Sequence, residues 1–260
     1  MPAKSSPLLT LSIVSHGDAD KLPHLLESIQ RYENSHSLQI ILTDNLGHDL
    51  PEADASAWAD VSAFAELMIL RNKDQKGFAH NHNQAFQYAT GKYFCVLNPD
   101  LLFEEAIFAP LINRIENGDA AILSPIIFDS DGVLQDSFRD FPTPLEILKR
   151  KLPYYKFQPQ LSNITRLIFP DWIAGMFMLM RHKTYQQIGG FDEKFHMYFE
   201  DVDFCARARA LGLFPLVDAN LRIQHNAQRA SRKNLRYFGW HIQSAFRFFG
   251  SSVYKELEEK

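Results

Sequence analysis

The chain switches repeatedly between two apolar rhythms. Leu9 to Ser15 is a short β-rich run, and Asp20 to Tyr32 then carries Leu22, Leu25, Leu26 and Ile29 at helical spacing. Gln39 to Thr43 is a second apolar run that stops at Asp44 and Asn45, completing a strand, helix, strand unit. Leu67 to Leu70 predicts a third strand, Gly77 to Thr90 a helix, and Tyr93 to Leu97 a fourth strand ending on Asn98-Pro99-Asp100. Alternation of this kind predicts an α/β protein with a mostly parallel sheet covered by helices on both faces. Such sheets bind ligands at the carboxyl ends of their strands, which is where polar residues collect here.

The rhythm loosens afterwards. Phe103 to Asn117 predicts a helix and Ala121 to Phe128 a strand, whereas Phe141 to Phe169 is rich in Pro, Tyr and Lys and reads as a variable, partly mobile region. Asp171 to Arg181 is apolar around Gly175, Lys183 to Ile188 predicts a short helix, and an Ala- and Arg-rich helix follows Glu200. From Lys233 to Phe249, Leu235, Phe238, Ile242, Ala245, Phe246 and Phe249 fall on one helical side, broadened by Trp240 and Phe248. That tail reads either as a terminal helix packed on the core or as a basic, aromatic helix lying on an anionic membrane.

Composition narrows the class. With 260 residues, 46% hydrophobic and 22% charged, the chain can bury one large core. A formal charge of −4 and a pI near 6.2 argue against a general nucleic-acid binder. Cys95 and Cys205 sit in apolar contexts, so they read as buried thiols in a reducing compartment rather than as a disulfide. The N-terminal run reads as a first strand rather than a signal sequence, and no stretch reaches the ~18 apolar residues of a membrane span. The expected location is the cytoplasm, with peripheral membrane contact through 233–249.

Five constellations carry candidate chemistry, each beside a plainer structural reading. Asp100, delivered by an apolar strand and a rigid proline, suits a divalent cation; it could equally cap a helix starting at Leu101. Asp44 and Asn45 suit hydrogen bonds to a base or ribose, or simply a turn. Asn72, Gly77 and Asn83 surround a helix start, where glycine permits close backbone approach and free N–H groups attract an anion. Neither a G-x-G-x-x-G fingerprint nor a P-loop occurs there. His225, followed by Arg229, Arg232 and Lys233, is a metal ligand or an ordinary solvated histidine. Finally, "YFEDVDFCARARALG" sets Glu200, Asp201 and Asp203 within four positions, as a catalytic cluster or as helix caps.

The order of these motifs, with the GGFDE turn at Gly189 leading into the E-D-x-D segment at Glu200, resembles the inverting glycosyltransferases of the GT-A fold. Among them it looks nearest to bacterial rhamnosyltransferase-like members, and the likeness spans Leu9 to Arg232. The resemblance implies a nucleotide-binding half over 1–103, an acceptor and catalytic half over 104–230, and a separate amphipathic tail over 231–260. It implies that Asp100, at the last acid of a D-x-D motif, binds Mg²⁺ or Mn²⁺ with His225. Asn98 departs from that motif's first acid. Asp44, Asn45, Asn72, Gly77, Asn83, Asn98 and Arg229 would meet the nucleotide-sugar donor, and Asp201, beside Glu200, would be the base. The expected reaction moves L-rhamnose from dTDP-rhamnose to a bacterial polysaccharide or lipid-linked oligosaccharide. Alternatives are a UDP-hexose or UDP-galactofuranose donor, or a non-catalytic subunit that only binds a nucleotide sugar.

Overall fold

A computed structural model describes residues 7–33, 37–52, 56–118, 120–149, 167–226 and 235–258. The first half runs β1 (Leu9–Ser15), α1 (Leu22–Tyr32), β2 (Leu38–Asp44), α2 (Ala59–Phe64), β3 (Ala65–Arg71), α3 (Phe78–Phe86), β4 (Tyr93–Leu97) and β5 (Leu101–Phe103). The middle continues with α4 (Phe108–Asn117), β6 (Ile122–Phe128), β7 (Phe138–Arg139), α5 (Pro144–Lys149), β8 (Leu167–Ile168), β9 (Trp172–Ile173) and β10 (Phe177–Arg181). The last part holds α6 (His182–Ile188), α7 (Glu200–Ala210), β11 (Pro215–His225), α8 (Leu235–Phe249) and α9 (Ser252–Glu258).

One sheet organises these elements in the order β3-β2-β1-β4-β10-β6-β11-β5, with β8 on β11 and a small β7-β9 pair apart. It is parallel from β3 to β4, as the alternating pattern predicts, and mixed beyond: β10 is antiparallel to both β4 and β6, while β11 is parallel to β6. Side chains alternate between its faces. Tyr93, Cys95 and Leu97 enter one core with α1 and α4; Phe94 and Val96 enter another with α6 and α7. Both cysteines are buried and free.

Two element boundaries differ from the sequence pattern. Leu101–Phe103 is a strand paired antiparallel with Ile223–His225, and helix α4 starts only at Phe108. The cause is the buried Glu33, whose Oε1 accepts the amides of Ile107 and Phe108 and so sets the helix start. Asp100 therefore precedes a strand, which removes the helix-cap reading. Helix α3 likewise ends at Phe86 rather than Thr90.

Helix α8 packs its aromatic side against 195–199, the segment that leads into α7. His196 meets Trp240 with ring centroids 4.5 Å apart, His241 lies beside both Tyr198 and Phe199, and the Ser244 hydroxyl donates to the Met197 carbonyl at 2.9 Å. Phe248 is fully buried, whereas Phe246, which the sequence pattern puts on the apolar side, is 76% exposed. Among the described residues no helix is long and apolar enough to cross a membrane.

Candidate active site

The carboxyl ends of β1, β2 and β4 bring the polar clusters together. Asp44 is wholly buried: its Oδ1 accepts the amides of Leu46 and Gly47, and its Oδ2 accepts the amide of Leu50 and Arg71 Nη1 at 2.7 Å. Its carboxylate is thus engaged in shaping the 44–50 turn, the plainer of its two readings. Asn45 clamps the next loop, accepting from the Lys76 amide and from Asn72 Nδ2 and donating to the Lys76 carbonyl. Asn72 also donates to Asn81 at 2.7 Å. Gly77 does permit a close backbone approach: a Cβ there would collide with the backbone of His196, whose carbonyl accepts the Phe78 amide. Asn83 turns away from this cluster and ties α3 to the GGFDE turn, bonding both the amide and carbonyl of Phe191, Tyr185 Oη and Glu193.

At the end of β4, Asp100 faces His225 across the β5–β11 ladder. The Asp100 carbonyl accepts the Asn226 amide, and Oδ1, otherwise unpartnered and buried, lies 3.0 Å from His225 Nε2. Burial pushes the Asp100 pKa up, but the facing imidazole and the Lys21 ammonium, 4.0 Å away, outweigh it and hold the carboxyl below its ordinary value. Lys21 also pairs with Asp18 at 2.5 Å. A buried carboxylate oxygen beside an imidazole nitrogen is a donor pair that would fit Mg²⁺ or Mn²⁺. Among the described residues no third His, Cys, Asp or Glu joins them. Arg229, placed by the sequence beside this site, lies outside the described residues.

The acidic cluster opens α7. Tyr198 and Phe199 precede it with φ of 68° and 66°, a left-handed pair of non-glycine residues that swings the chain into the helix. The three acids take three different environments. Asp203 is buried and paired with Arg207 at 2.8 Å, one turn on. Glu200 is buried with Oε2 unpartnered, and burial, reinforced by the Asp201 charge, drives its pKa well up. Asp201 is partly open; burial raises its pKa too, but amides of Gly175 and Val202 on its two oxygens oppose the rise. Burial thus disfavours the charged form of Glu200 more than that of Asp201, whose two oxygens are held by amides.

Two consecutive residues join the poles. The Gly175 amide holds Asp201 Oδ2 at 3.1 Å, and the Met176 carbonyl accepts the Asn98 amide at 2.9 Å, two residues before Asp100. The segment that leads into β10 is thus tied both to Asp201 and to the loop that carries Asp100. Sequence reasoning missed Lys21 and Gln135. The signal for Lys21 was its place just past the carboxyl end of β1; Gln135, which bonds His225, gives none.

A mixed α/β sheet of this order, flanked by helices on both faces, is the GT-A fold of glycosyltransferases. Residues 10–201 match glycosyl transferase family 2, and the chain belongs to that family. It is 28% identical over 252 residues to rhamnosyltransferase WbbL of Escherichia coli (strain K12), covering 93% of this chain and 92% of that one. It is 27% identical over 165 residues to an N-acetylglucosaminyl-diphospho-decaprenol L-rhamnosyltransferase of Mycobacterium tuberculosis, covering 59% of this chain and 53% of that one. Among solved structures it is similar to GalNAc-T7 with UDP, GalNAc and Mn²⁺, at a TM-score of 0.65 and 16% identity, covering 88% of this chain and 45% of that one. A mannosyltransferase from Pyrobaculum calidifontis, in complex with GDP-Man and Mn²⁺, matches at 0.56 and 14% identity, covering 94% of this chain and 65% of that one.

Proposed function

We propose that this glycosyltransferase transfers L-rhamnose from dTDP-rhamnose, with inversion, to a hydroxyl of a bacterial polysaccharide or lipid-linked oligosaccharide. The carrying observation is the fastening of Asp201, and of Asn98 two residues before Asp100, to the adjacent residues Gly175 and Met176 in the turn that leads into β10. Asp201 accepts the proton of the acceptor hydroxyl as its oxygen bonds the anomeric carbon and the nucleoside diphosphate leaves from the opposite face. Asp100 and His225 would hold Mg²⁺ or Mn²⁺, which when bound neutralises charge on the diphosphate. Lys21 adds a fixed positive charge at the same end. The 44–50 turn and the Asn45–Asn72–Asn81 chain shape the nucleoside end, and residues 1–230 act as one domain. The relatives of rhamnosyltransferase name support rhamnose as the donor sugar.

A thermal-shift panel of dTDP-rhamnose, UDP-glucose, UDP-galactofuranose and GDP-mannose, each with Mn²⁺ or EDTA, tests the donor. A ligand at a hundred times its Kd stabilises by about 2.7 kcal/mol, which is several degrees for a domain of this size. dTDP-rhamnose with Mn²⁺ should give the largest shift; protection by a UDP sugar alone overturns the assignment. Asp100→Ala should weaken dTDP binding much more in Mn²⁺ than in EDTA, and equal loss in both would exclude the cation role.

A further inference from the structure

His225 is gripped from behind by one side chain. Its Nδ1 lies 2.6 Å from Gln135 Oε1, and its own carbonyl accepts Gln135 Nε2 at 3.2 Å. The second bond orients the amide, because only the NH₂ group can serve a carbonyl; Oε1 is therefore the atom that faces the ring. An oxygen facing Nδ1 requires Nδ1 to carry a hydrogen. In the neutral ring the lone pair then sits on Nε2, the nitrogen 3.0 Å from Asp100 Oδ1. Nε2 and Asp100 Oδ1 then face each other as a pair of atoms that a proton or a divalent cation would bridge.

Gln135 is itself held by the backbone. The Asp129 carboxylate accepts the amides of Asp131 and Val133, closing a turn after β6, and the Gln135 amide then donates to the Ile127 carbonyl at 2.8 Å. Since β6 pairs with β11 at Phe128 and Gln224, this turn returns the chain beside the residue before His225. The amide is delivered by the sheet rather than by a loose loop.

From this geometry we infer that Gln135 is a positioning residue for the divalent cation: it fixes the Nδ1–H tautomer and the ring plane of His225, so that Nε2 faces the cation shared with Asp100. The inference rests on the cation site proposed above, and it assigns a function to a residue that contacts neither cation nor substrate. Loss of such an outer hydrogen bond typically weakens metal binding ~10–100-fold.

The test measures Mn²⁺ affinity from the free-ion EPR signal, alone and with dTDP, on the intact chain. Gln135→Ala should weaken Mn²⁺ binding by at least about tenfold while leaving dTDP affinity in EDTA unchanged. Gln135→Glu, which keeps an acceptor for Nδ1–H, should retain most of the affinity and so separates orientation from damage to the fold. In a His225→Ala background, Gln135→Ala should add nothing, because its effect passes through the ring. Wild-type Mn²⁺ affinity in Gln135→Ala, with His225→Ala and Asp100→Ala both impaired, overturns the inference and leaves the cation site standing. An additive loss in the double variant also overturns it. Unchanged Mn²⁺ binding in His225→Ala and Asp100→Ala overturns the site and the inference together.

Discussion

Three acids in a single helical turn meet three different sets of partners. Asp203 is paired with Arg207, Glu200 is buried without a partner for Oε2, and Asp201, partly open, is held by two backbone amides. The proposed role of Asp201 as base rests on this difference: of the three acids it is the least buried, and amides on both oxygens favour its charged form. Asp201→Asn should lower kcat by ~10²–10⁴ with donor affinity unchanged, because the base faces the acceptor. Glu200→Gln removes a charge that burial already disfavours, and it should keep most of the turnover. The reverse pattern would move the base one residue back. Burial raises the Asp201 pKa, and a base must be ionised to act, so activity should fall with acidification at a pH above that of an ordinary aspartate, near 3.9. An acid limb of kcat/KM at or below that ordinary value would contradict the environment described.

At the scale of elements, the left-handed pair Tyr198–Phe199 is strained, each such residue costing on the order of 1–3 kcal/mol. What holds it is α8, through His241 against both rings and Ser244 on the Met197 carbonyl. The tail thus acts as a brace for the segment that aims Asp201. His241→Ala and Ser244→Ala should each lower kcat by up to about tenfold, the equivalent of about 1.4 kcal/mol in the barrier, while Mn²⁺-dependent donor binding stays as it was; stopped kinetics with unchanged thermal stability would be read by parallel turnover and melting measurements. Unaltered kcat in both variants would show that the pair needs no brace. The sequence pattern identified α8 as amphipathic but put Phe246 on its apolar side and Phe248 at its margin, because helical spacing cannot reveal which aromatic rings of a distant loop the helix will meet. Strands β1, β2 and β4 were legible for the opposite reason: buried on both faces, they read as apolar runs wherever they pack. Strand β5 was not, since three residues whose only instruction is a partner 120 positions away leave no local signal.

One sheet joins a parallel half to a mixed half and separates two cores. That Asp100, His225 and Asp201 stand at element ends was legible in the sequence. The contact of Asp100 with His225 was not, because it depends on β5 pairing with β11, and neither was the tie from Gly175 and Met176 to Asp201 and Asn98, which depends on where β10 enters the sheet beside β4. The entry to β10 is where the halves meet, and Gly175 is its critical position. A Cβ there would lie 2.7 Å from the Phe78 ring, which is itself packed on His82 and Phe191 with centroids 4.3 Å and 5.5 Å away and has little room to swing. Gly175→Ala should therefore push the strand entry and disturb both poles at once: Asp201 through the Gly175 amide, and Asp100 through the Met176–Asn98 bond. The expected outcome is a fall in kcat together with weaker Mn²⁺-dependent dTDP binding, whereas Asp201→Asn alters only the first and Asp100→Ala chiefly the second. Adding Phe78→Leu, which removes the opposing ring atoms, should restore part of both properties. If Gly175→Ala changes only one of the two, the poles are not mechanically joined at this residue, and their proximity reflects separate supports.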